Sequence, residues 1–414
     1  MSRLFSQGKF FRIVAVATLL LLCAASAQSA SYKVLYGFGA SNAKPSSGLT
    51  FDSQGNAYGV TSAGGYNEAG TVYELSPTTG YHLLFKFGKS QSGGAYPLGN
   101  VALDAAGNLY GATLAGGIER NCCGVVFELS PSNNGGLWNE TVLYTFCANR
   151  KHGCPDGAGP TSGVIFDALG DLYGTTAGNV FELSPNSTGW SETVLYEFES
   201  PIGEAYGPIF DGVGNLYGTT SKGGQTGSGT VFELSPSNGG AWVETTLYEF
   251  EGVESNDGAD PLAGVALDDA GNLYGTTDQG GHASCNRGAG CGIVYELTPS
   301  IDGTWTETIL HRFAETGEDG EFPAAGVVLD ASGNIYGTTS GGGLTGCSAS
   351  CGTAFRLTAT AGAKWIGSLF RFPSNGMSGS NPVTPLTLDS SGNIYGTTTT
   401  GGLRGGGVVF KIAQ

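Results

Sequence analysis

The heptapeptide GNLYGTT stands verbatim at 214–220 and 271–277, with near copies opening at 55 (GNAYGVT), 107 (GNLYGAT), 170 (GDLYGTT), 333 and 392 (both GNIYGTT). The opening glycines lie 52, 63, 44, 57, 62 and 59 residues apart. Self-similarity at this period belongs to propellers and solenoids, whose units bury an apolar face only by stacking on neighbours. A residue present in every copy is first of all packing or turn chemistry. A specific site must be sought where the copies differ.

The rest of the unit chooses between the two architectures. Each copy follows a short apolar run that ends in Asp, at Asp52, Asp104, Asp167, Asp211, Asp268, Asp330 and Asp389. The resulting D-x-x-G suits a tight hairpin with Gly in the left-handed region. The motif itself is a second strand. A GTVFELSP-like third strand covers 71–77, 125–131, 179–185, 230–236, 293–299, 353–358 and 408–413. An ETVLYEF-like fourth covers 140–146, 192–198, 244–250 and 307–313, with looser versions at 82–87 and 367–372. β-Branched and aromatic residues dominate these runs and turn residues bound them, as in strands. Four hairpin-linked strands make a propeller blade.

The seventh unit stops after its third strand, while KVLYGF at 33–38 is a spare fourth strand. Pairing the two closes a ring and removes the bare sheet edges. The expected fold is all-β: one seven-bladed β-propeller over 28–414, four antiparallel strands per blade, the last blade completed by the N-terminal strand. Alternation along the motif predicts that each Tyr packs into the adjacent blade, where Gly leaves room.

Residues 1–27 read as a signal peptide: Lys9 and Arg12 precede an apolar run at 13–25, and Ala25-Ser26-Ala27 is a cleavage pattern. No twin arginine is present, and Leu22 before Cys23 is not the small residue that lipidation prefers. No later stretch is long enough to span a membrane. The expected location is extracellular or periplasmic. Lys plus Arg number 18 against 35 Asp plus Glu, and three of the cations lie in the leader. Nucleic acid, which needs clustered cations, is therefore excluded as a partner.

Eight cysteines follow the leader, an even number that favours disulfides in an exported chain. Cys285/Cys291 and Cys347/Cys351 occupy equivalent places before third strands and are expected to pair locally. Cys147/Cys154 staples the approach to blade three. Cys122 and Cys123 either bridge each other or cross-pair with Cys147 and Cys154. These four with His152 also offer a zinc set, a weaker reading than local pairing.

The spaced motifs D-x-x-G-N-L-Y-G-T-T, G-T-V-F-E-L-S-P and V-L-Y-x-F resemble the GloVer repeats, a tandem-repeat family of exported bacterial proteins. The resemblance covers nearly all of the chain after the leader. It implies export but no established activity, so it assigns no catalytic residues. Family members often carry a C-terminal surface-sorting anchor. This chain stops at Lys411-Ile412-Ala413-Gln414, inside the last blade, from which release is expected rather than attachment.

The five Trp (138, 190, 242, 305 and 365) all precede a fourth strand. Such rings could stack on sugars, but the repetition favours a packing slot. The Asp of D-x-x-G lacks the alternating oxygens of a calcium loop and is read as a turn cap. The Asp-Gly pairs at 156, 257 and 319 are read as turns, and His311 as a packed strand residue. The loops joining strand two to three, and strand four to the next blade, vary most and share one face of the disc. Variable loops on a rigid scaffold are the default place for binding. The short loop at 177–179 and the short link at 199–207 predict a notch near blades three and four. Non-repeated polar groups on that face include Lys151, His152, Glu204, His282, Arg287, Glu318 and Glu321. None has the spacing of a known catalytic motif.

The expected function is a non-catalytic binding or scaffold module, a monomer without metal or cofactor. Its partner would be a polysaccharide or cell-surface component on the variable-loop face. The alternative is an extracellular hydrolase or lyase with its site at the central opening of that face. A third reading is a matrix protein with no specific ligand.

Overall fold

A computed structural model describes residues 31–39, 43–90, 92–118, 122–148, 153–199, 203–237, 239–283, 285, 288–314, 320–343, 351–360, 364–373 and 376–414. Seven four-stranded antiparallel sheets follow one another around a ring, with two two-stranded ladders in the loops. In blade four, for example, Ala205–Phe210, Leu216–Thr220, Thr230–Pro236 and Trp242–Glu249 pair in sequence order. Blade seven takes three strands from the C-terminal end, and Ser31–Gly39 pairs antiparallel with Gly405–Ala413 as its fourth. The closure expected from the sequence is present.

The D-x-x-G-N-x-Y segment builds a carboxylate cage that sets each hairpin. Asp211 Oδ1 accepts the backbone N–H groups of Val213, Gly214 and Asn215 at 2.9, 2.7 and 2.9 Å. Its Oδ2 accepts Asn215 Nδ2 at 2.8 Å and the Tyr217 hydroxyl at 3.3 Å. Gly214 has φ +99°, a conformation that Gly adopts without strain. Burial pushes the Asp211 carboxyl up, but these donors outweigh it and hold the group below its ordinary value. The same cage recurs at Asp52, Asp104, Asp268, Asp330 and Asp389. In blade three Asp171 replaces the Asn, so the amide donor is missing there.

Neighbouring blades are joined by an aromatic girdle. The Phe that ends each fourth strand meets the third-strand aromatic of the next blade. The pairs are Phe87/Phe127, Phe146/Phe181, Phe198/Phe232, Phe250/Tyr295, Phe313/Phe355 and Phe372/Phe410, with centroids 4.9–5.4 Å apart. Phe38, on the N-terminal strand, meets Tyr73 of blade one at 5.1 Å and completes the girdle. Inclined ring pairs of this kind add about 0.5–1.5 kcal/mol each beyond the area they bury.

The motif tyrosine does reach the next blade: Tyr110 meets Phe166, Tyr173 meets Phe210, and Tyr395 meets Phe51. The glycine beside it serves another purpose than the one expected. A Cβ on Gly218 would lie 2.6 Å from Phe232 Cζ of its own blade and 2.8 Å from the Tyr206 carbonyl oxygen. Glycine therefore makes room for the girdle ring and for the first strand. The Trp side chains pack as the repetition predicts, Trp242 on Tyr173 and Trp305 on Tyr217 of the preceding blade. The side chain of Trp365 lies outside the described set. No helix among the described residues is long and apolar enough to cross a membrane.

Candidate functional site

The first strand of every blade is preceded by a short lead-in, and the seven lead-ins converge on the axis of the ring. In register they read PSSG (45–48), PLGN (97–100), PTSG (160–163), EAYG (204–207), PLAG (261–264), PAAG (323–326) and PVTP (382–385). Together they line a central cavity of about 560 Å³, with Ser46, Gly99, Gly163, Gly207, Gly264, Gly326 and Pro385 contributed one per blade.

Three devices fix these segments. The first is close backbone packing: a Cβ on Gly264 would sit 2.3 Å from Gly207 O, and one on Gly163 2.1 Å from Asn100 O. The second explains the Thr-Thr of the motif. Thr219, Thr276, Thr338 and Thr397 donate to carbonyls of the next lead-in, at Ala263, Ala325, Thr384 and Ser47, over 2.8–3.3 Å. The third is a proline lock. Cβ atoms on Gly70, Gly124, Gly229, Gly292 and Gly352 would lie 2.4–2.5 Å from Cδ of Pro97, Pro160, Pro261, Pro323 and Pro382, and one on Gly407 3.1 Å from Pro45 Cδ.

Blade four breaks the lock. Glu204 stands where six blades have Pro, and a Cβ on the matching glycine of blade three, Gly178, would meet nothing within 4 Å among the described residues. Two residues on, Tyr206 stands where the other blades have Ser, Gly, Ala or Thr. The Tyr206 hydroxyl donates to Glu204 Oε2, and both residues line the cavity. The segment pairs with the second strand from Ala205, opposite Thr220, an early start that blade two shares. Glu204 is exposed and Tyr206 half-buried. Beside them Lys222 is ion-paired with Asp260. The lining also takes in exposed Leu114 of blade two, whose Cδ1 would lie 3.5 Å from a Cβ on Gly159.

Of the other candidates, His282 lies away from the axis, in a depression with Asn256, His311 and Arg312. His311 packs edge-on against Phe313 at 4.7 Å, as a strand residue should. Glu321 belongs to the short ladder that pairs it with Gly341. Lys151, His152, Arg287, Glu318 and Cys347 lie outside the described residues. Cys122 is bonded to Cys123, Cys147 to Cys154 and Cys285 to Cys291, with Cα atoms 3.7, 4.6 and 5.0 Å apart. Cys351 is also disulfide-bonded. Among the described residues no cluster of three or more metal-ligating side chains occurs.

Tyr206 was not singled out by the motifs, because only the lead-ins aligned in register reveal it. A second set of groups gathers on the Asp of two of the Asp-Gly pairs. Tyr144 and the Cys147 N–H donate to Asp156, and Tyr248 and the Glu251 N–H donate to Asp257. Each Asp lies near a fourth-strand glutamate of its own blade. Burial, then Asp156, pushes Glu192 up to about 7. Burial, then Asp257, raises Glu307 as well. Oε1 of each glutamate is buried with no hydrogen-bond partner among the described residues.

The family model described as the Gloeobacter/Verrucomicrobia repeat matches residues 24–206, 141–306 and 209–414. No curated protein matches the chain. Among solved structures, an ancestral GH74 enzyme superposes with TM-score 0.59 at 11% identity, over 90% of this chain and 48% of that one. A polysaccharide lyase of a new family, an ulvan lyase, gives 0.56 at 11%, over 90% and 94%. The extracellular domain of a hybrid two-component system from B. thetaiotaomicron gives 0.53 at 13%, over 92% and 41%. The chain thus spans less than half the length of the first and last of these. At such identities the likeness shows a shared fold alone.

Proposed function

The chain belongs to the Gloeobacter/Verrucomicrobia repeat family, and from that premise we propose that it is an exported, non-catalytic propeller whose variable-loop face binds a polysaccharide or cell-surface component. Export is supported by the leader-like residues 1–27 and by the disulfides, which persist in oxidising compartments. The observation that carries the binding reading is the central cavity. Its volume of about 560 Å³ lies within the range of small-ligand sites, its walls are the closely packed lead-ins, and among the described lining residues blade four supplies the one carboxylate and the one phenol.

The same lining weighs against turnover. Glycoside hydrolysis uses two carboxyl groups about 5–9.5 Å apart. Among the described lining residues Glu204 is the one carboxylate. Titration of the purified protein against a glycan panel and cell-envelope fractions tests the proposal. Saturable binding without release of new chain ends is expected. Absence of saturable binding to any of them contradicts it, and measurable depolymerisation favours the hydrolase or lyase reading.

A further inference from the structure

The lead-ins give six internal controls for one exception. In blades one, two, three, five, six and seven the first position is Pro and the third is Ser, Gly, Ala or Thr. Blade four changes both, to Glu204 and Tyr206, and bonds the two side chains to each other. The change gives up the proline lock that the other six junctions keep, and among the described residues nothing comes within 4 Å of a Cβ placed on Gly178. A repeat that loses packing at one junction, and at the same junction places a polar pair on the axial cavity, has the mark of a site.

The chemistry of the pair narrows the ligand. Tyr206 occupies Glu204 Oε2, and Oε1 has no hydrogen-bond partner among the described residues. The fixed carboxylate can then accept two hydroxyl donors, in bonds that its charge makes stronger than those to a neutral oxygen. The same cavity is lined by the Tyr206 ring and by Leu262, Leu98 and Val383 of the lead-ins of blades five, two and seven, apolar surface suited to the C–H face of a sugar ring. The neighbouring cation, Lys222, is taken by Asp260. The chain as a whole carries a formal charge of −17, which repels uronates and sulfated chains.

We propose that Glu204 and Tyr206 form the recognition subsite for a neutral sugar unit seated at the mouth of the axial cavity. This inference rests on the binding reading above and specifies where and what the protein binds. Glu204 accepts vicinal hydroxyls, and Tyr206 both orients that carboxylate and covers the ring.

Calorimetric titration of the full chain with neutral, acidic and amino-sugar oligosaccharides tests it. The variants are Tyr206→Ala, which installs the residue of blades five and six, and the isosteric Glu204→Gln. Each is expected to keep the melting temperature and to weaken neutral-oligosaccharide binding by about tenfold, the scale of one good contact. If the wild type binds a glycan and both variants stay within about twofold of it, the subsite is wrong while the binding reading stands. Preference for acidic or amino sugars overturns the neutral assignment. If the wild type binds no oligosaccharide, this inference falls, while the binding reading is decided by the cell-envelope fractions.

Discussion

Replacing Phe38 with Ala tests whether the N-terminal strand closes the ring. Phe38 is 4% exposed and touches Tyr73 of blade one, with Tyr36 and Tyr81 also in ring contact. Truncating a buried Phe to Ala costs about 3–5 kcal/mol through lost transfer energy and the cavity left behind. A terminal strand yields more easily than a central one, so about 3 kcal/mol is expected for Phe38→Ala. The matching change in mid-chain, Phe250→Ala, removes a fully buried ring from the contact with Tyr295 and should cost about 4 kcal/mol. Unfolding entropy of about 2 cal/mol/K per residue makes one kcal/mol worth a little over about 1 °C in a ring of this length. Both variants should therefore lose about 4–5 °C in melting temperature, read by fluorimetry alongside urea midpoints with unchanged slopes. A loss below about 1 °C for Phe38→Ala beside the full loss for Phe250→Ala would refute closure, because the two positions are then not equivalent.

The carboxyl groups raised by burial predict how stability follows pH. Glu192, raised to about 7, Glu307, raised in the same direction, and Asp278, raised to about 6, are all lifted chiefly by burial. A raised carboxyl pKa means the folded state holds the proton more tightly. The contribution is complete below the unfolded value of about 4 and is lost as pH rises through the folded values. The melting temperature should fall between about pH 4.5 and 8, and Glu192→Gln with Glu307→Gln should flatten the slope; a rise over that window contradicts the assignment. The caged aspartates act oppositely, adding stability that is lost as pH drops below about 4. Gly218→Val should destabilise by at least about 1–3 kcal/mol, since the new atoms overlap Phe232 and the Tyr206 carbonyl. An unchanged urea midpoint would show that the ring can shift, and the account of the motif glycine would fail.

The architecture was legible because it is written seven times. Spacing, strand alternation and turn chemistry all repeat, and the spare strand at the N-terminus announced the closure. The tyrosine's contact with the next blade also followed from alternation. The partner of the glycine did not, because Gly218 and Phe232 meet across strands and only the register of the ladder brings them together. The site was half legible. Glu204 stood out as a non-repeated charge on the variable face. Tyr206 did not, since a tyrosine is ordinary in a chain this aromatic. Its meaning lies in a comparison of lead-ins whose common position on the axis is known only once the ring is built. Glu192 and Glu307 were hidden by their repetition, which marks them as strand residues and says nothing of the aspartates folded against them.

The most direct test of the binding account is hydrogen exchange of the protein with and without a saturating neutral oligosaccharide. Protection is predicted across 204–209 and the flanking lead-ins at 161–165 and 262–265, which line the cavity mouth. Protection confined to the D-x-x-G hairpins on the opposite face, such as 211–215, would contradict it, as would no change at all.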